Sequence, residues 1–105
     1  MLEVVLGKYN LVVEEETEQV VNISDWINHP DFKQIAKGIY LAKGVPDNDL
    51  AIIKLASRVS FSYHVLPVCL PSSSKNYEGV SATVSGFGRT SCNGTHENKL
   101  QKVTF

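Results

Sequence analysis

An all-β fold is what this 105-residue sequence predicts, on three observations. Its apolar residues come in short runs punctuated by Gly, Pro, Asn and Ser. No stretch keeps the three-and-four spacing of an amphipathic helix, and several runs alternate with the period of two that marks a strand. Composition fits a folded chain: 43% of residues are hydrophobic, 20% are charged, and 10 basic against 11 acidic side chains leave a net charge of −1. That is too apolar and too weakly charged for a disordered segment. It also lacks the basic excess that phosphate backbones demand, so no nucleic-acid partner is expected. The longest run free of Lys, Arg, Asp and Glu, Val59 to Ser74, is sixteen residues and contains His64, Pro67 and Pro71. It is too short and too interrupted for a membrane span.

The elements follow in order. Val4-Val-Leu6 predicts a strand closed by Gly7, and Gln19 to Ile27 predicts a second that stops at His29-Pro30. Between Pro30 and Asp49, Phe32, Ile35, Ile39 and Tyr40 predict a turn or two of helix inside a loop. Leu50-Ala-Ile-Ile-Lys-Leu55 is apolar on both faces, the pattern of a strand buried deep in a barrel or sandwich. Ala82, Val84 and Gly86 alternate with Thr83, Ser85 and Phe87, and Val103 shares a face with Phe105, giving two further strands. Pro67-Val-Cys-Leu-Pro-Ser-Ser-Ser74 has the prolines and serines of a connection between structural halves. The expected division is therefore 1–66, a linker at 67–78, and 79–105.

Asn22-Ile-Ser24 and Asn93-Gly-Thr95 are N-glycosylation sequons, useful only to a secreted chain, whereas Met1 to Leu6 has neither the basic leader nor the apolar core of a signal peptide. Asn93-Gly94 is equally a tight-turn signal. Cys69 and Cys92 match no zinc spacing and make no disulfide framework, so no metal and no cofactor are expected.

Seven blocks in one order carry a resemblance. Leu6-Gly-Lys-Tyr-Asn10, the acidic run ending at Glu18-Gln19, His29-Pro30, Asn48-Asp-Leu-Ala-Ile-Ile-Lys-Leu55, Pro67-Val-Cys-Leu-Pro71, Val84-Ser-Gly-Phe-Gly-Arg89 and Leu100-Gln-Lys-Val103 together resemble the trypsin-like serine proteases. The absence of cysteine from Ala82-Thr-Val-Ser-Gly86 is similar to many arthropod members. The resemblance implies a fold of two six-stranded antiparallel barrels. Residues 1–66 would supply later strands of the first barrel, 67–78 the inter-barrel linker, and 79–105 the first strands of the second.

It also implies acyl transfer by a Ser-His-Asp triad, in which the aspartate fixes the histidine's tautomer and the histidine takes the serine's proton. Asp49 is the matching aspartate, at the rim of a core ahead of an apolar strand and expected to be desolvated there. On residue physics alone it reads rather as a turn residue starting a strand, and it is the flanking Asn48 and Leu50-Ala51 of the resemblance that turn the reading toward the triad. The family's histidine and serine segments do not occur among these residues, and His29, His64 and His96 read as surface or rim histidines. The chain is thus expected to be a fragment, inert by itself, of an extracellular endopeptidase acting on protein or peptide substrates. The alternative is a non-catalytic homologue that binds or regulates partners.

Further expectations come with the resemblance. Val45 and Pro46 match positions lining the subsite next to the scissile residue, in a loop whose extra length and lysines either restrict substrates or form a solvated insertion. Cys69 matches a cysteine that tethers a pro-segment in many members, and otherwise reads as a buried small hydrophobe. Cys92 is either free or paired outside the chain. Protein inhibitors are a further expected class of partner. In some members the loop following Leu6-Gly7 binds calcium, but Lys8 stands where the first carboxylate ligand belongs. Its ammonium is expected to neutralise Glu15 and Glu18 from inside the loop, leaving no calcium dependence.

Overall fold

The computed structural model describes residues 2–32 and 48–105. Among them every regular element is a strand: β1 (Glu3–Leu6), β2 (Gln19–Asn28), β3 (Ala51–Leu55), β4 (Thr83–Gly86) and β5 (Gln101–Thr104). All five coincide within a residue or two with the runs that predict them. The short helix expected around Phe32 to Tyr40 falls mostly outside the described residues.

β1, β2 and β3 form one sheet with β2 in the middle, and β4 and β5 form a second, two-stranded sheet. β2 and β3 are antiparallel in the register Asn28↔Ala51, Ile27↔Ile52, Trp26↔Ile53 and Asp25↔Lys54. The register slips between Ile23 and Asp25, so Ser24 is the extra residue of a bulge. Its hydroxyl donates to the Lys54 carbonyl at 3.1 Å. β4 and β5 pair from Thr83↔Thr104 to Gly86↔Gln101, and Ala82 and Phe105 exchange both backbone bonds at 2.8 and 3.0 Å to extend the ladder.

The chain falls into two compact units, Met1–Val4 with Val20–Val59, and Val5–Gln19 with Ser60–Phe105. In the first unit Val21 is buried. In the second Val65 is buried, carried by a tight hairpin in which Ser62 and Val65 exchange backbone bonds across Tyr63-His64. Gly7 lies against this hairpin at φ +72°, and a Cβ there would overlap the Thr17 carbonyl oxygen. Gly7 is therefore required by both conformation and space. The Thr17 hydroxyl bonds back to the Gly7 carbonyl at 2.9 Å, closing the loop between β1 and β2.

One expectation about burial is corrected. β3 reads as a deeply buried strand, yet Leu50, Ile52 and Ile53 are 59%, 69% and 48% exposed. The described residues supply a hydrogen-bonding neighbour for β3 but no layer packed on its faces, so the apolar pattern stands without the cover it is built for.

Candidate functional site

Asp49 lies where β3 begins. The chain arrives through Asn48, at φ +55° the one non-glycine residue with positive φ among the described residues. The Leu50 amide donates to the Asn48 carbonyl at 2.9 Å, which puts Asp49 at the centre of a three-residue turn. The Leu50 carbonyl then accepts the His29 amide at 3.0 Å, and Ala51 opens the ladder opposite Asn28. Asp49 thus projects from the corner between a turn and a strand whose register is fixed. It lines an open cavity of about 340 Å³ together with Asn28, Phe32, Leu50 and Ala51.

The surroundings of Asp49 depart from expectation in one respect. Its side chain is exposed rather than desolvated, because the neighbouring Leu50 and Ala51 are exposed as well. Its carboxylate has no hydrogen-bond partner among the described residues. Chemically it is an acceptor held by its backbone and open to a donor, the requirement for orienting an imidazole.

The acidic loop has the opposite character. Lys8 Nζ donates to Glu18 Oε1 and to the Val13 carbonyl. The two charged side chains are only 15% and 14% exposed, so this ion pair is mostly sheltered from water. Glu18 Oε1 also accepts the Glu15 amide at 2.9 Å, while the Glu18 amide donates to the Glu15 carbonyl at 3.2 Å, a reciprocal closure of one turn. Glu15 Oε1 in its turn accepts the amides of Tyr9 and Asn10, both at 2.8 Å. The expected ammonium inside the loop is found, but it meets Glu18 directly and Glu15 is satisfied by backbone donors. The Asn10 and Tyr9 amides hold the Glu15 carboxyl below its usual range, and the Lys8 hydrogen bond does the same for Glu18. Among the described residues no group of three or more His, Cys, Asp and Glu side chains is disposed to hold a metal ion.

The remaining candidates are dispersed. Asn22 is exposed on β2 near the end of the β2–β3 ladder remote from Asp49. Asn93 is exposed in a turn closed by the Gly94 amide on the Ser91 carbonyl at 3.0 Å, as the Asn-Gly pair predicts. Cys69 and Cys92 are both exposed, unpaired thiols, so the reading of Cys69 as a buried hydrophobe does not hold. Val45 and Pro46 lie outside the described residues. What the resemblance block containing Asn48 does not bring out is that residue's backbone role. Its signal was the tolerance of Asn for left-handed backbone, directly ahead of the candidate aspartate.

Comparisons with known proteins give the family and the fold. The trypsin family model matches residues 1–105. Trypsin II-P29 of Gallus gallus is 38% identical over 99 residues, covering 94% of this chain and 36% of its own length. Trypsin-1 of Astacus astacus is 32% identical over 103 residues, covering 98% and 39% respectively. A solved structure described as "Structure of GrC" superposes with a TM-score of 0.75 at 26% identity, over 97% of this chain and 41% of that one. Antiparallel strands, no helix among the described residues and this superposition define part of the two-barrel trypsin-like fold. The chain belongs to the trypsin family of serine endopeptidases. It spans less than two fifths of the length of the vertebrate trypsins it matches. Among the described residues no helix is long and apolar enough to cross a membrane.

Proposed function

We propose that these residues are an internal segment of an extracellular trypsin-like serine endopeptidase, and that Asp49 is the aspartate of its Ser-His-Asp triad. The observation that carries the reading is the corner at Asp49: a carboxylate fixed by its backbone, without a partner among the described residues, inside the Asn48-Asp-Leu-Ala51 context of a trypsin-family chain. In that role Asp49 accepts the histidine's Nδ1–H and stabilises the imidazolium formed when the histidine takes the serine's proton. The serine oxygen attacks the peptide carbonyl, the proton passes to the departing amine, and water then releases the acyl group. Asp49 binds no substrate atom and supplies orientation and charge.

Around it, residues 1–66 belong to the first barrel, 67–78 to the linker and 79–105 to the second barrel. The family resemblance assigns Val45 and Pro46 to the subsite beside the scissile residue. Cys69 is the tether for a pro-segment and Asn22 and Asn93 are the glycan acceptors, readings supported by the exposure of all three side chains. Protein or peptide substrates and protein inhibitors are the partners. Without the histidine and serine segments the 105 residues alone are inert.

The test extends the reading frame in both directions, expresses the complete domain, and measures peptide-amide hydrolysis together with labelling by a fluorophosphonate, which reacts with an activated serine. Hydrolysis with labelling is the expected result. A folded domain that neither cleaves nor labels overturns the reading in favour of a non-catalytic homologue.

A further inference from the structure

We infer that Asn48 is a positioning residue for Asp49, acting through two bonds that converge on the corner. The inference rests on the assignment of Asp49 to the triad. Left-handed backbone is costly for most side chains, and a non-glycine residue held there beside a candidate catalytic group calls for an explanation. Asn48 satisfies it locally: its Nδ2 donates to the Asp31 carbonyl at 3.2 Å, and its own carbonyl accepts the Leu50 amide at 2.9 Å.

The Asp31 carbonyl is itself a fixed anchor. The segment leaving β2 turns at once, with the Phe32 amide on the His29 carbonyl at 3.0 Å and the Asp31 amide on His29 Nδ1 at 3.0 Å. The turn is tied to β3 by the His29 amide on the Leu50 carbonyl. Hydrogen bonds therefore run from His29 to Asp31, from Asp31 to the Asn48 side chain, and from the Asn48 backbone to Leu50, closing a ring around Asp49. Two side chains enter the ring: the His29 imidazole closes the turn that follows β2, and the Asn48 amide links that turn to the residue directly ahead of Asp49, so Asn48 is the side chain that sets the corner from the Asp49 side. The three-residue turn leaves Asp49 little backbone freedom, and the amide fixes the direction from which the chain enters it.

A catalytic geometry loosened by about an ångström costs on the order of 10²-fold in rate. The experiment uses the complete protease domain with Asn48→Gly, which keeps the left-handed backbone and loses the amide, Asn48→Ala, which loses both, and Asp49→Ala as reference. Rates are taken per active site by fluorophosphonate titration, so unfolded material does not count. Asn48→Gly is expected to lower kcat about tenfold and Asn48→Ala on the order of 10²-fold, with KM unchanged and Tm of the glycine variant within a few degrees of wild type. Wild-type kcat per site in both Asn48 variants, with Asp49→Ala inactive, overturns the inference and leaves the triad assignment standing. Full activity of Asp49→Ala overturns the triad assignment, and the inference with it.

Discussion

Two carboxylate sites in this chain have been given opposite fates. In the loop between β1 and β2, Glu15 Oε1 receives two backbone amides and Glu18 Oε1 a backbone amide and an ammonium, all from within a dozen residues. At the start of β3, the residues on either side of Asp49 are tied by backbone hydrogen bonds, yet its own side chain is left open. The difference separates carboxylates tied into their own loop from one whose oxygens are open to a donor. Both are short-range designs, and in both a single neighbouring residue decides the outcome: Lys8 closes one site, and Asn48 shapes the other.

The comparison breaks most severely at Gly7. Gly7→Ala puts a Cβ on the Thr17 carbonyl oxygen while keeping φ at +72°, and the conformational penalty alone is about 1–3 kcal/mol. Thermal denaturation of the complete domain should show a large fall in Tm, with the loop lost as a unit; an unchanged Tm would mean that the loop does not need this backbone.

A smaller effect belongs to Lys8→Met, which removes the internal cation. Because the Glu15 and Glu18 carboxyls are held below their usual value of 4.5, their contribution to stability is complete above that pH. It is lost as pH falls through their lowered values. Wild type should therefore lose Tm progressively below pH 4.5, with Lys8→Met less stable at neutral pH, and the two curves converging in acid. Parallel curves would show that Lys8 is not what holds Glu18.

The smallest expected effect is none at all. Millimolar calcium against chelator should leave the Tm of the native domain unchanged, because Lys8 already provides the charge a metal would bring. Lys8→Glu should instead acquire calcium stabilisation. A calcium-induced rise in the native protein contradicts this account of the loop.

Much of this was legible in the residues, and the failures have a common cause. Strand positions follow from local alternation and from stops such as Gly7 and His29-Pro30, which is why β1 to β5 fall where the sequence places them. The Lys8–Glu18 pair was legible because a lone cation among acidic residues within a short loop has few other places to go. Burial of β3 and desolvation of Asp49 were misjudged because apolar pattern records what a strand is built to pack against, not what these residues themselves provide. The conformation of Asn48 is not legible in the block that contains it, because left-handed backbone leaves no compositional mark beyond the tolerance of Asn for it. The Cys69 thiol illustrates the same limit: cysteine's character as a small hydrophobe suggests burial, while the segment between its two prolines is exposed.

One paired measurement tests the contrast between the two sites directly. In the complete domain, Asp49→Asn and Glu18→Gln make the same chemical change, carboxylate to amide, and kcat per titrated site and Tm are read for each. The triad assignment predicts that Asp49→Asn lowers kcat on the order of 10⁴-fold, because an amide leaves the histidine in the wrong tautomer, with Tm nearly unchanged. Glu18→Gln should lower Tm and leave kcat per site close to wild type. Near-wild-type kcat in Asp49→Asn, or a catalytic loss in Glu18→Gln equal to that of Asp49→Asn, would contradict the account.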